Sequence, residues 1–245
     1  MKTLKNLFVA LTLLAVAPMT AQTADEILSN YFENTGGEAA WNALEGIKMV
    51  GSVNAQGMEI PIDMYQMKDG KQLLKINIQG QEMTQYSFDG ETMWTTNFMT
   101  MLPEKSDAET TENMKKNNQD FPSPFLNYKE KGYTVEYLGK ETKEVTEPFK
   151  IKLTQKPVMV EGKEEPTVSF YYFETENYVP IIVETTMNSG PAKGQMSTSG
   201  FSDYQESEGL YFPFSIDQGG QPINVKEIVL NPDVDKAFFA FPEEK

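Results

Sequence analysis

Residues 47–94 form a run of short segments in which apolar and polar side chains alternate, each closed by a glycine turn. Met58, Ile60, Ile62 and Met64 alternate with Glu59, Pro61, Asp63 and Tyr65, and Leu74, Ile76 and Ile78 with Lys75, Asn77 and Gln79. Ile47, Met49, Val53 and Ala55 alternate with Lys48, Ser52 and Asn54, Val50 being out of step, and Thr84, Tyr86 and Phe88 mark a fourth segment. The turns fall at Gln56-Gly57, Asp69-Gly70, Gln79-Gly80 and Asp89-Gly90, close to the roughly 8–12-residue spacing of a meander. A period of two makes one face of such a sheet apolar and the other wet. The apolar face needs a cover, either the chain's own side chains or a greasy ligand, and the function turns on which.

At 245 residues the chain is long enough for one large all-β domain or two small ones. No composition break separates its halves, so residues 22–245 are read as one domain. Before them, Lys2 and Lys5 precede an apolar run over residues 7–17, then Pro18 and small residues to Ala21. That is the pattern of a cleavable secretory signal, with cleavage after Ala21 or, as the alternative, Ala24, and a periplasmic destination. Losing Lys2 and Lys5 moves the formal charge from −15 to −17. No later stretch reaches the roughly 18 uninterrupted apolar residues of a membrane-spanning helix.

Three residue types are missing: the chain has no cysteine and no histidine, and all 21 of its basic residues are lysines. Most hydrolytic and redox sites use histidine or cysteine as base, nucleophile or ligand, so no enzyme, metal or cofactor is expected. Carboxylate pairs such as Glu174 with Glu176, or Asp233 with Asp235, could serve a glycosidase, but among 36 acids such spacings arise by chance. The acidic balance also argues against nucleic acid, whose phosphates need clustered Lys or Arg.

Ahead of the meander, Thr23 and Glu26 form a capping box. Ile27, Leu28, Tyr31 and Phe32 follow at helical spacing, then Gly36-Gly37 and a second short helix carrying Trp41 and Leu44. Residues 95–103 show no clear period. Ser106 with Glu109 could cap a polar helix to about Asn117, read as a connector rather than a lid, and residues 121–126 make a stiff apolar corner that should dock on the sheet. Further strands are expected around residues 133–137, 149–153, 168–173, 179–185, 196–204, 210–216 and 223–230, with a charged, exposed loop over residues 155–166. Phe238, Phe239 and Phe241 should plug one end of the sheet.

Twelve of the fourteen methionines lie beyond residue 21, and eight of them crowd into residues 49–101. Methionine is unbranched and polarizable and suits irregular apolar partners. The expected ligand-binding set is therefore Met49, Met58, Ile60, Ile62, Met64, Leu74 and Ile76, with Trp94, Phe98 and Met99 beside them. A pocket and a solid core both fit this pattern.

Several motifs occur in order: the helix with Gly36-Gly37, Glu45-Gly46-Ile47-Lys48, Phe88-Asp89-Gly90 leading to Trp94, and Tyr128-Lys129-Glu130-Lys131-Gly132-Tyr133. Glu176-Asn177-Tyr178-Val179-Pro180, Phe201-Ser202-Asp203-Tyr204 and Gly209-Leu210-Tyr211-Phe212-Pro213 follow. Together they resemble the LolA-like outer-membrane lipoprotein-sorting proteins, in a Bacteroidota-like variety. The resemblance implies a mainly β fold, a half-open antiparallel β-barrel covered by N-terminal and connecting helices. It further implies a periplasmic, monomeric carrier of lipid or lipoprotein acyl chains that meets membrane lipoprotein machinery. Carriers of that family latch a lid through an arginine on an early strand. Here Lys48, Lys71 and Lys75 are the nearest substitutes, without arginine's planar fork. The other reading is a non-transporting interaction or sensor module with a filled core.

Overall fold

The computed structural model describes residues 22–55, 57–117, 120–188 and 192–242; the expected signal over residues 1–21 lies outside them. Six strands form the first meander: β1 (Gly46–Ala55), β2 (Met58–Met67), β3 (Gln72–Ile78), β4 (Gln81–Phe88), β5 (Met93–Thr96) and β6 (Pro103–Lys105). Seven form the second: β7 (Thr134–Lys140), β8 (Phe149–Val160), β9 (Lys163–Phe173), β10 (Pro180–Thr186), β11 (Met196–Ser207), β12 (Leu210–Gln218) and β13 (Gln221–Leu230). The two meanders join where β1 pairs antiparallel with β13, giving one 13-stranded sheet with β6 and β7 at its free edges. It is a half-open antiparallel barrel. The β1–β13 seam carries a bulge at Val50/Gly51, which bends the sheet. A Cβ on Gly51 would lie 2.5 Å from the Asn224 carbonyl oxygen, so only glycine lets the two strands approach this closely.

Helix α1 (Ala24–Asn34) begins with the expected capping box: the Glu26 amide donates to Thr23 Oγ1 (3.2 Å) and the Thr23 amide to Glu26 Oε2 (2.9 Å). Eleven residues are too few to hold a helix in water alone, so packing maintains it. Ile27, Leu28, Tyr31 and Phe32 are buried against Phe149, Ile151, Leu153 and Phe173 of β8 and β9. A five-residue helix, α2 (Glu38–Asn42), adds Trp41, whose Nε1 donates to the buried Thr35 Oγ1 at 3.0 Å. The apolar corner docks as expected, with Phe125 and Leu126 buried in the same cluster.

Three regions differ from expectation. Residues 155–166 are a hairpin, not a loop: β8 runs to Val160 and β9 starts at Lys163. Glu161 and Gly162 turn it with φ of 52° and 73°, as a tight two-residue turn between twisted strands requires. The charges that suggested a loop are carried by a hairpin reaching past the core. The phenylalanines near the C-terminus do not plug the barrel's end; Phe238 and Phe239 lie on the outer face against Tyr65. Helix α3 (Ala108–Asn117) exists, but its cap is Asp107, whose Oδ1 accepts from the Thr110 amide at 2.7 Å. Glu109 instead accepts from the amides of Glu161 and Gly162 at 2.9 and 2.8 Å. Asn113 pairs both ways with the Met159 backbone. Connecting β6 to β7 and touching both β5 and β8, α3 straps the open side.

Candidate functional site

The face of the sheet that receives α1 is the inner face. Strand register extends it across the first meander: Met49 pairs with Met64, Met64 with Leu74, and Ile62 with Ile76. Two hollows lie along it. One, of about 240 Å³, sits under the cover between Tyr31, Trp41, Met49, Phe125, Tyr171 and Phe212. The other, of about 200 Å³, is formed by Val53, Ile60, Ile62, Met64, Leu74, Ile76 and Ile223, with Gln85, Gln218 and Gln221 as its polar members. Met49 lines the first and Met64 the second, and the two are cross-strand partners. Among the described residues, no charged side chain lines either hollow. A larger cleft of about 790 Å³ lies at the 174–178 turn, but Glu174, Glu176 and Asp203 make its walls polar. Ligand pockets are mainly apolar with few polar groups, which favours the inner strip over this cleft.

On the outer face of the same strands the alternation delivers charge. Lys48 pairs with Asp63 at 3.4 Å and Lys75 with Glu82 at 2.7 Å; Lys71 pairs with Asp69. Lys48 lies over the Tyr65 ring and Lys75 over Phe238. All three lysines considered as latch substitutes are therefore on the side away from the cover.

The cover is held by other groups. Asp25 on α1 accepts from Tyr128 Oη (2.6 Å) and Lys129 Nζ (2.8 Å); this keeps its carboxyl below the ordinary range. Lys131 Nζ donates to the Ser123 carbonyl at 2.9 Å. At the start of the corner, Asp120 accepts from Tyr133 Oη (2.9 Å) and Gln155 Nε2 (2.6 Å). Burial nonetheless pushes the Asp120 carboxyl up and the Lys131 ammonium down, because removing a charge from water outweighs these bonds.

Of the expected ligand-binding set, Ile60, Ile62, Met64, Leu74 and Ile76 come together in the second hollow and Met49 lines the first. Met58 stands at the start of β2, 54 % exposed. Trp94 does not share this face: its register partner is Ser87, and both donate to the Phe239 carbonyl, at 3.0 and 2.8 Å. Its indole packs instead against Phe241. Phe98 and Met99 are in the β5–β6 turn, 57 % and 94 % exposed, and line neither hollow. Val53 and Ile223 were missed. Their alternation is visible in the sequence, but only the β1–β13 pairing, which sets Val53 opposite Ile223, brings them together.

No protein-family model and no curated relative matches the sequence. Solved structures do match the fold. A LolA superfamily protein from Nitrosomonas europaea superposes with a TM-score of 0.54 at 14 % identity, over 90 % of this chain and 98 % of that one. A candidate outer membrane lipoprotein-sorting protein domain from Vibrio parahaemolyticus gives 0.51 at 13 %, over 87 % and 94 %. A DUF1329 family protein from Desulfovibrio piger gives 0.51 at 14 %, over 87 % and 97 %. These superpositions extend over most of each chain, and the fold of this chain is the LolA-like half-open barrel.

Proposed function

We propose that this protein is a periplasmic carrier that holds an acyl chain, of a lipid or a lipoprotein, along the inner strip of β1–β4 without catalysis. The observation that carries this reading is where the cover lies. In the first meander the tail packs on the outer face, whereas the inner strip of Ile60, Met64, Leu74 and Ile76 borders a hollow and remains only partly buried. An uncharged apolar groove with glutamines among its lining suits a chain of methylenes, each worth about 0.8 kcal/mol on burial. At about 240 and 200 Å³ each hollow is below the roughly 300 Å³ at the low end of ligand pockets. Loading therefore requires Met49 and Met64 to rotate and join the two, which methionine's three rotatable bonds permit. Similarity to a LolA superfamily protein and to a candidate lipoprotein-sorting domain supports the ligand class. Residues 22–245 would act as one monomeric domain after removal of residues 1–21.

Native mass spectrometry of protein purified from its producing cells should show lipid bound at unit stoichiometry. Fluorescent fatty acid should be displaced by that lipid and should not bind Met64→Asp. A clean apo mass, with no fatty-acid binding, sinks the carrier. The small hollows favour one second reading, a sensor or interaction module with a filled interior, and that result would select it.

A further inference from the structure

The hairpin joining β5 to β6 ends in a tip that the inner strip does not use. Phe98 is 57 % exposed, Met99 94 %, Met101 39 % and Leu102 62 %. Residues 95–103 carry no charge, while Glu91, Glu104 and Lys105 flank them. The tip is firmly built: Asn97 Oδ1 accepts from the amides of Met99 (2.8 Å) and Thr100 (3.1 Å). The Asn97 amide donates to the Leu102 carbonyl (2.9 Å), and the Met101 amide to the Asn97 carbonyl (2.7 Å). Met101 has φ of 60°, a position where glycine or asparagine sits with less strain. The chain thus keeps a large apolar side chain where the turn itself favours a small or polar one.

The shape and chemistry of the tip select what could cover it. A second copy is disfavoured, since β6 has three residues, begins with Pro103 and continues with Glu104 and Lys105, all features that blunt edge pairing. Four side chains on one turn also fall well short of the roughly 800 Å² per partner of a stable protein interface. A lone acyl chain needs a concavity, and a hairpin end offers none. The interfacial layer of a bilayer accepts a projecting, uncharged apolar tip without needing a matching pocket. With a formal net charge of −15, or −17 once residues 1–21 are removed, the protein is not drawn to anionic headgroups, so attachment would come from insertion.

We propose that the β5–β6 tip is a membrane-touching wedge that inserts Phe98, Met99, Met101 and Leu102 into the surface of a lipid bilayer. This goes beyond the carrier reading and does not require the inner strip to be loaded. The cysteine-free chain allows a single environment-sensitive dye at Met99→Cys, with Val145→Cys, at a site 96 % exposed, as the control. On adding vesicles of phosphatidylethanolamine and phosphatidylglycerol, the dye at 99 should brighten severalfold and shift to the blue while the dye at 145 stays unchanged. A silent dye at 99, or equal responses at both sites, overturns the proposal. In vesicle flotation the double variant F98S/M99S should bind at least about tenfold more weakly, since each lost side chain removes a share of burial energy. Met101→Gly should weaken binding while leaving the melting temperature no lower than wild type. Wild-type flotation of F98S/M99S also overturns the proposal. Bound lipid measured by native mass spectrometry on F98S/M99S should be unchanged, so a failed wedge and a failed carrier give different results.

Discussion

Across β8, β9 and β12 the inner face carries Phe149, Ile151, Leu153, Phe173 and Phe212, and α1 with α2 presses rings into it. Tyr31 meets Phe173 at 5.7 Å and Trp41 meets Phe212 at 5.1 Å between centroids. Across β1–β4 the same inner face carries Met49, Ile62, Met64, Leu74 and Ile76, and among the described residues its closest approach to a helix is at the Met49 end. The first meander is sealed from behind, by Phe238 and Phe239 on Tyr65 and Leu73. Alternating strands thus become a filled core in one half and an unfilled groove in the other. The difference lies in side-chain stiffness and in where the chain's ends pack. Rings packed at fixed angles stabilise a single arrangement; unbranched methionine leaves room to adapt.

The contrast can be broken most strongly at Trp41. Trp41→Ala should lower stability by about 3–5 kcal/mol in urea denaturation, because it empties the ring cluster and removes the donor to Thr35. A loss under about 1 kcal/mol would mean that the second half is no firmer than the first. Phe239→Ala should cost about 3 kcal/mol and raise amide exchange in β2–β4 more than in β8–β9. Uniform exchange would show that the outer seal serves both halves alike. Met64→Asp should cost only about 1–2 kcal/mol while abolishing fatty-acid binding, and a loss as large as that of Trp41→Ala would place the strip in the core.

Asp120→Asn should have the smallest effect, seen in its pH dependence. Burial raises the Asp120 carboxyl in the folded state, so its protonated form stabilises the fold. That contribution is present below the ordinary carboxylate value of about 3.9 and fades as pH rises through the raised folded value. The variant should therefore melt higher than wild type at neutral pH, the gap closing as the medium turns acidic. Asp25 acts in the opposite sense, its carboxyl being held low by Lys129 and Tyr128, but it is common to both proteins. An unchanging gap would exclude Asp120 as the titrating group at the corner of the cover.

Much of the fold was legible beforehand. The capping box at Thr23, the Gly57, Gly70, Gly80 and Gly90 turns and the alternation from β1 to β4 all depend on neighbours a few residues apart, where backbone preference and periodicity are decisive. The helix cap at Asp107 was misplaced because Ser106 and Glu109 offered the same pattern one residue earlier, and Glu109 is needed by the β8–β9 turn. Trp94 was misassigned because an aromatic at a strand end gives no sign of which face it occupies. That depends on register, and β5 pairs Trp94 with Ser87 beneath the C-terminal turn. Phe98 and Met99 were expected to join the greasy set on composition, whereas the turn that Asn97 organises points them into solvent.

By itself the sequence determined that Met58, Ile60, Ile62 and Met64 share one side of a strand, that Leu74 and Ile76 share one side of the next, and that no histidine or cysteine can act beside them. Only the tertiary structure decided that β1 lies against β13, that α1 covers the second meander and not the first, and that the C-terminal phenylalanines close the outer face. Side-chain alternation is a property of the local backbone. The partner a strand finds, and the face a distant helix or tail settles on, follow from burial summed over segments far apart in the chain, which no window of residues contains.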